Sequence, residues 1–236
     1  FPPDPDSFLS FLPLSHAYEH TCGQFVPIGL SASIYYAEGL EKLAANMEEV
    51  KPTLMVVVPR LFEVLRARIV KTIEKQGGIA VVMFNQAMRL GRKRYENQGL
   101  PFWERPFDAL LDKTVRHKVQ QRFGGNLKAL VSGGAPLNPE VGLFFESLGI
   151  KLLQGYGQTE AAPLISCNRP SRRIKIHTVG PVLDDVEVEI APDGEIKVRG
   201  ELVMHGHWQN EVDTAKALQD GRLLTGDIGH LDEDGH

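Results

Sequence analysis

The sequence Gly-Tyr-Gly-Gln-Thr-Glu at residues 155–160 places an aromatic ring, a hydroxyl and a carboxylate within six positions. It follows a predicted buried strand, and open α/β sheets bind ligands at the carboxyl ends of their strands. Tyr156 offers a flat face for a purine, Thr159 a hydroxyl for a phosphate oxygen, and Glu160 a carboxylate for Mg²⁺. The two glycines would let the backbone approach a ligand. The segment therefore predicts a nucleotide site; an ordinary glycine turn with a solvated Thr-Glu pair is the alternative.

Two further segments have residue types that suit the same ligand. The segment 132–140, SGGAPLNPE, leaves a predicted strand through two glycines and enters a helix behind Pro139, so it could form a second wall of one pocket. A plain strand-to-helix turn explains its Asn138-Pro139 part equally well. In LLTGDIG, at 223–229, Asp227 follows a glycine in a predicted turn, and a carboxylate can accept hydrogen bonds from both hydroxyls of a ribose. A simple turn aspartate is the alternative.

Two histidines in LPLSHAYEH lie four positions apart. His16 and His20 therefore share one face of the predicted helix, where two imidazoles could bind one metal ion. We disfavour a metal site because the motif supplies no third ligand. For His16, the sequence alone favours a cap on the following helix. Cys22 and Cys167 have no metal-ligand spacing and are interpreted as small core residues.

Alternating strand and helix patterns predict an α/β fold made of parallel βαβ units with covering helices. Predicted strands occupy 8–13, 33–37, 53–59, 127–134 and 151–157, and the stretch 60–123 is helical throughout, with breaks at Gly77-Gly78 and 99–101. Beyond Gly180 the pattern changes to period two around Asp193-Gly194, which predicts a hairpin and a small antiparallel β subdomain. We expect an α/β part at 1–177, with 60–123 as a helical insertion, and the antiparallel subdomain at 178–236.

Composition and charge narrow the class of protein. A chain of 236 residues with 42% hydrophobic content can bury a substantial core, its apolar runs are too short to cross a bilayer, and its N-terminus does not resemble a signal peptide. We expect a cytoplasmic protein with no nucleic-acid partner. Residues 59–128 carry 15 Lys and Arg against 6 Asp and Glu, whereas the whole chain has a net charge of −4. These basic helices could contact anionic lipid at a membrane surface or a polyphosphate; a solvated helix face is the alternative.

The ordered set LPLSHAYEH, SGGAPL, GYGQTE, GEIKVRGELVMHGHW and TGD resembles the adenylate-forming superfamily of acyl-CoA synthetases, firefly luciferase and adenylation domains. Within that superfamily the chain is most similar to the long-chain fatty acid CoA ligases, whose extra helices the stretch 60–123 resembles. The resemblance implies ATP, Mg²⁺, coenzyme A and a fatty acid as ligands. One motif could match by chance, but five in the family's order are a far more specific signal.

The resemblance also implies a role for each matched residue. Tyr156 would stack on adenine, Thr159 would contact the α-phosphate, Glu160 would help to hold Mg²⁺, and Asp227 would bind the ribose hydroxyls. His16 would lie beside the substrate carboxylate and the adenylate, and His20 near a gate over the acyl tunnel. The remaining nucleotide-binding residues implied are Gly133, Gly134 and Ala135 at the pocket edge, Gln154 near the adenine amino group, and Gly155 and Gly157 in the turn.

By resemblance, the reaction is ATP-dependent formation of an acyl adenylate with release of pyrophosphate, followed by thioester formation with coenzyme A. Two other functions stay open: transfer of the acyl group to a carrier protein, and binding of nucleotide or acyl ligands without catalysis. Because Phe1 is not a methionine and the chain stops after the turn signal Asp234-Gly235, we expect part of a longer protein. The family's phosphate loop would then precede Phe1 and its catalytic lysine would follow His236, so this chain alone is expected to be inactive.

Overall fold

A computed structural model describes residues 6–236 and contains two β-sheets. The first sheet has six strands in the order β2-β1-β3-β4-β5-β6, and its first five strands are parallel. β6 pairs antiparallel with β5. The strands of this sheet are β1 (Ser7–Ser10), β2 (Ser33–Tyr36), β3 (Leu54–Val57), β4 (Ala129–Ser132), β5 (Leu152–Tyr156) and β6 (Ser166–Cys167).

The helices of the first sheet's layers connect its parallel strands. They are α1 (Val26–Gly29), preceded by a π-helix at Glu19–Phe25; α2 (Leu43–Val50); α3 (Pro59–Gln76); α4 (Gly78–Glu96); α5 (Arg105–Leu111), followed by a π-helix at Asp112–Arg116; α6 (His117–Gln121); and α7 (Pro139–Ser147). Apolar side chains of α2, α3, α4 and α7 pack with those of β3, β4 and β5 in one continuous core. Val57, Phe62 and Phe145 are fully buried at its centre.

The helical insertion contains its own small core and a buried cation. Ala87 and Leu90 of α4 pack against Leu111 of α5. Next to them, the Arg116 side chain is only 1% exposed and pairs with Asp108, at 2.7 Å, and with Asp112, at 2.6 Å. This guanidinium also donates to backbone carbonyls of α4 and α7. These hydrogen bonds connect the insertion to the rest of the α/β layer.

The second sheet is a four-stranded antiparallel sheet in the order β7-β8-β10-β9. Its strands are β7 (Glu187–Ile190), β8 (Glu195–Arg199), β9 (Leu218–Gln219) and β10 (Arg222–Ile228), and α8 (Glu211–Ala217) precedes β9. Val198 and Leu223 form its core together with Ala161 and Ile165, which follow the first sheet's β5. The small sheet is therefore packed against the segment that leaves the parallel sheet.

The predicted fold class is confirmed: a mixed α/β chain with a parallel sheet and a small antiparallel sheet. The helical stretch at 60–123 breaks at Gly77, as predicted, where α3 ends and α4 begins. No helix within residues 6–236 has the length and apolar character needed to span a bilayer.

Candidate nucleotide site

The structure brings the predicted motifs to one edge of the parallel sheet. β4 and β5 are neighbours, and Ser132, the last residue of β4, lies opposite Gln154 in β5. The paired-glycine turn that follows Ser132 and the turn that follows Tyr156 therefore leave the sheet side by side. This is the carboxyl edge of the strands, where ligands bind in open α/β folds.

The third motif reaches this edge from the antiparallel sheet. The Tyr156 hydroxyl donates to a carboxylate oxygen of Asp227 at 2.7 Å, across 71 positions of the chain. Beside this contact, the Gln158 amide donates to the Thr225 carbonyl at 3.3 Å. Burial, together with the negative charge of the carboxylate that accepts its hydrogen bond, raises the pKa of Tyr156 to about 12. The phenol thus stays protonated and can keep donating at neutral pH.

Asp227 lies at an irregularity of β10 and not in the short turn that the sequence predicted. The pairing of β10 with β8 shifts register between Leu224 and Ile228, and Gly226 has a left-handed φ of 72°. The Asp227 amide donates to the Thr225 hydroxyl at 3.1 Å. A β-bulge redirects the side chain that follows it, so this bulge presents an exposed carboxylate beside Tyr156.

Close packing against other backbone atoms requires glycine at both positions, 155 and 157, of the 155–160 turn. A Cβ on Gly157 would collide with the carbonyl oxygen of Pro163, and a Cβ on Gly155 would lie 3.1 Å from the carbonyl oxygen of Ser166. Both glycines therefore face the segment that folds back as β6. The prediction that they allow close approach of a ligand is untested, and this packing explains them without a ligand.

The paired glycines of 132–140 differ from each other. Gly133 is buried against the ring of Tyr18, where an added Cβ would lie 2.9 Å from a ring carbon. Gly134 has a left-handed φ of 78° and is exposed, as is Ala135. The Tyr18 hydroxyl donates to the Val131 carbonyl at 3.0 Å, and burial raises the pKa of Tyr18. Tyr18 thus stabilises the turn by packing against Gly133 and bonding to the end of β4.

The side chain of Gln154 has two protein partners. Its oxygen accepts from the Leu137 amide at 3.2 Å, and its nitrogen donates to the Thr178 carbonyl at 2.8 Å. Gln154 is only 7% exposed. These bonds tie the paired-glycine turn to the loop at Thr178, so Gln154 positions that turn. Its predicted contact with an adenine amino group stays a prediction.

Thr159 and Glu160 begin the short 3₁₀-helix Thr159–Ala161 that follows the turn. Thr159 is exposed, and the Glu160 carboxylate lies 3.6 Å from Nε2 of His207. Within residues 6–236, no group of three or more His, Cys, Asp and Glu side chains is arranged to hold a metal ion. A single accessible carboxylate nevertheless fits Mg²⁺, which proteins usually bind through one or two carboxylates together with substrate phosphates.

His16 precedes the helix that contains His20. Nδ1 of His16 accepts from the Tyr18 amide at 3.2 Å, which is the capping contact that the sequence alone favoured. Both histidines are exposed. The His20 ring packs edge to face on Phe25, with ring centroids 4.8 Å apart. The predicted roles of both histidines at the acyl end of the site stay predictions.

Several residues that shape this site were not assigned from the sequence. Tyr18, Gln158 and Thr225 connect the motifs, and His207 faces Glu160. All four stand inside quoted motifs, Tyr18 in LPLSHAYEH and His207 in GEIKVRGELVMHGHW, so motif membership alone could have singled them out. No sequence signal places Tyr18 beneath Gly133, because the two residues are 115 positions apart along the chain and meet only in the folded sheet.

Solved structures with a similar fold are adenylate-forming enzymes. o-Succinylbenzoate CoA synthetase (MenE) from Bacillus subtilis superposes with a TM-score of 0.67 at 19% identity, over 99% of this chain and 40% of that one. MatB from Rhodopseudomonas palustris gives a TM-score of 0.67 over 98% of this chain and 39% of that one, also at 19% identity. At such identities the likeness defines the fold, which is that of the N-terminal domain of this class.

A family model described as AMP-binding enzyme matches residues 2–210, so the chain belongs to that family. The long-chain-fatty-acid–CoA ligase FadD15 of Mycobacterium bovis is 32% identical over 98% of this chain and 38% of its own length. Long chain acyl-CoA synthetase 6, peroxisomal, of Arabidopsis thaliana is 30% identical over 95% of this chain and 33% of its own length. The chain spans between 33% and 42% of the length of these and other curated relatives.

Proposed function

We propose that this chain is the nucleotide-binding part of a long-chain fatty acid CoA ligase. The observation that carries the proposal is the contact between Tyr156 and Asp227, because it joins the two motifs from which adenine and ribose contacts are expected. The relatives named as long-chain fatty acid CoA ligases support the same choice of substrate. ATP, a fatty acid and coenzyme A are the proposed substrates, with Mg²⁺ as the cofactor.

In the proposed reaction, a fatty-acid carboxylate oxygen attacks the α-phosphorus of ATP. The bond from that phosphorus to the bridging oxygen breaks, and pyrophosphate leaves. The sulfur of coenzyme A then attacks the acyl carbon of the adenylate, and AMP leaves as the thiol proton is lost. A free carboxylate is a poor electrophile, so the mixed anhydride is what makes thioester formation feasible. Enzymes of phosphate chemistry work mainly by positioning groups and neutralising charge.

The described residues suit the positioning part of this reaction. The ring of Tyr156 would lie against adenine while the free carboxylate oxygen of Asp227 accepts from the ribose hydroxyls. The exposed Thr159 hydroxyl would donate to an α-phosphate oxygen. Mg²⁺ held at Glu160 would neutralise phosphate charge. His16, with Nδ1 engaged by the helix, would keep Nε2 available toward the substrate carboxylate.

Measurement of products in the longer protein that contains this chain tests the proposal. A panel of fatty acids of increasing length, each with ATP and Mg²⁺, should give fatty-acid-dependent pyrophosphate release, and addition of coenzyme A should give the thioester. Accumulation of the adenylate without thioester would instead identify transfer to another acceptor, such as a carrier protein. If the protein binds ATP but releases no pyrophosphate with any acid, the result would identify a non-catalytic binding protein.

Binding to the 236-residue chain tests the site itself. Asp227→Asn should weaken AMP binding about tenfold, since a ribose hydroxyl loses a charged acceptor worth about 1.5–3 kcal/mol. The same variant should change the binding of a 2′,3′-dideoxy analogue little. Equal losses for both nucleotides would contradict the ribose role, and Asp193→Asn, in the exposed hairpin of the same sheet, is the matched control.

A further inference from the structure

The helical insertion exposes apolar side chains that its own core does not use. Phe102 is 75% exposed and Trp103 is 67% exposed, in the loop before α5, and their rings pack edge to face with centroids 4.9 Å apart. Phe107 and Leu110 of α5 are 39% and 48% exposed. We call these four residues the aromatic face. Exposure of large apolar groups so close together marks an interaction surface.

Helical spacing explains why the aromatic face is separate from the core. Asp108 and Leu111 point inward, toward Arg116 and toward α4. Phe107 and Leu110 are three positions apart and follow one outer side of α5, and Trp103 precedes the first residue of that helix by two positions. α5 thus has apolar residues on two sides, one buried at Leu111 and one partly exposed at Phe107 and Leu110.

Basic residues flank the aromatic face. Lys93 and Arg89 of α4 both reach Glu104, at 2.7 Å and 4.0 Å, which places that side of α4 next to Trp103. Arg105 donates to the Leu100 carbonyl. Neither Arg105 nor Lys113 has a carboxylate within ion-pair distance in the described chain. This part of the chain thus presents four cations against two carboxylates, those of Glu104 and of the half-exposed Asp112.

The geometry points to the aromatic face as a docking site for an anionic membrane surface, with Phe102 and Trp103 entering the headgroup region. Aromatic rings favour this region, and a short amphipathic helix binds it through buried apolar area plus attraction of its cations to anionic lipid. The local charge excess matches anionic headgroups and disfavours a second copy of the same basic surface. This site lies on the insertion and is independent of the nucleotide motifs.

Tryptophan fluorescence can test the docking site, because the chain has only two tryptophans, Trp103 and Trp208. Trp208→Phe leaves Trp103 as the sole reporter. With vesicles of phosphatidylcholine containing phosphatidylglycerol, its emission should shift to the blue, lipids brominated on the acyl chain should quench it, and added salt should reverse both effects. Vesicles of phosphatidylcholine alone should give a much weaker response. No change in Trp103 emission with anionic vesicles would overturn the proposal.

Vesicle co-sedimentation of variants provides the second measurement. The double variant Phe102→Ser, Trp103→Ser should lower the affinity for anionic vesicles about tenfold or more. Arg105→Glu with Lys113→Glu should lower it as well while leaving the aromatic residues in place. Trp208→Ser is the matched control, since Trp208 is 89% exposed but lies outside the insertion. Equal loss in this control, or concentration-dependent dimerisation without vesicle binding, would reject the membrane partner. Thermal unfolding confirms that each variant is folded.

Discussion

The hydroxyl of Tyr156 and the carboxylate of Asp227 form a hydrogen bond of 2.7 Å between the end of the parallel sheet and a bulge of the antiparallel sheet. One residue supplies an aromatic ring and the other an acceptor, the two groups on which the proposed adenosine site depends. The hydroxyl can be removed while the ring stays, so the contributions of the two groups can be measured separately.

Tyr156→Phe should retain most nucleotide affinity, whereas Tyr156→Ala should lose about tenfold or more, because an aromatic face contributes about 1–3 kcal/mol when it stacks on a base. The Phe variant should lower the free energy of unfolding by about 1 kcal/mol through loss of the hydrogen bond. Calorimetric titration with AMP and urea unfolding measure the two effects. If Phe and Ala weaken AMP binding equally, the ring does not stack on adenine.

Gly157→Ala should destabilise the chain by about 1–3 kcal/mol, because the new Cβ would collide with the Pro163 carbonyl and move the turn or the β6 segment. Gly29→Ala is the control, since Gly29 has no atom within 4 Å of the added Cβ. Urea unfolding of both variants compares them. A Gly157 variant as stable as the Gly29 variant would show that the turn readily adjusts.

Arg116→Ala should lower the free energy of unfolding by about 3–5 kcal/mol, because it leaves the 8% exposed Asp108 side chain without its closest cation. Arg105→Ala, which removes an exposed arginine from the same insertion, should change stability by about 0.5 kcal/mol or less. Differential scanning calorimetry would reveal the contrast. Similar melting temperatures for the two variants would mean that water replaces the buried guanidinium.

The two cysteines should make stability fall at alkaline pH. Burial raises the pKa of Cys22 to about 12 and that of Cys167 to about 11, above the ordinary thiol value of 9.0. As pH rises, the thiols therefore ionise in the unfolded chain before they ionise in the folded protein. Their contribution to the free energy of unfolding is complete below pH 9.0 and is lost as pH rises toward the folded pKa values. The loss is at most about 1.4 kcal/mol per thiol and pH unit.

Urea unfolding between about pH 8 and pH 10.5 measures this effect. The decline with pH should be shallower in Cys22→Ala and in Cys167→Ala than in the unaltered chain. Iodoacetamide should also alkylate both thiols slowly in the folded protein at neutral pH and quickly in urea. Parallel declines in all three proteins would show that the thiols ionise normally in the folded state.

The sequence predicted the elements of the fold better than the connections within the site. Alternating strand and helix patterns depend on local periodicity, so the parallel strands and the break at Gly77 were recognisable. The bulge that presents Asp227 depends on the pairing of β10 with β8, and the support of Gly133 by Tyr18 depends on two distant segments meeting. Such contacts are fixed by tertiary packing, which no local pattern of residues contains.

Motif membership does not reveal which residues contact the ligand and which hold the protein backbone. Gly157 and Gln154 belong to the resemblance that identified the family, and their neighbours in the structure are protein atoms. Both residues hold the backbone of the turns, and their predicted ligand contacts stay predictions.

Tyr156, Gln158 and Glu160 each contact the antiparallel sheet or the loop that follows β8, through Asp227, Thr225 and Met204. A nucleotide bound between the turn after β5 and the antiparallel sheet would have to accommodate those contacts or replace them. Its binding free energy is then thermodynamically linked to the relative position of the two sheets. Under the proposed function, a ligand that alters these contacts would also alter how the small sheet packs on the segment after β5, and by linkage a substitution that alters that packing would change the affinity.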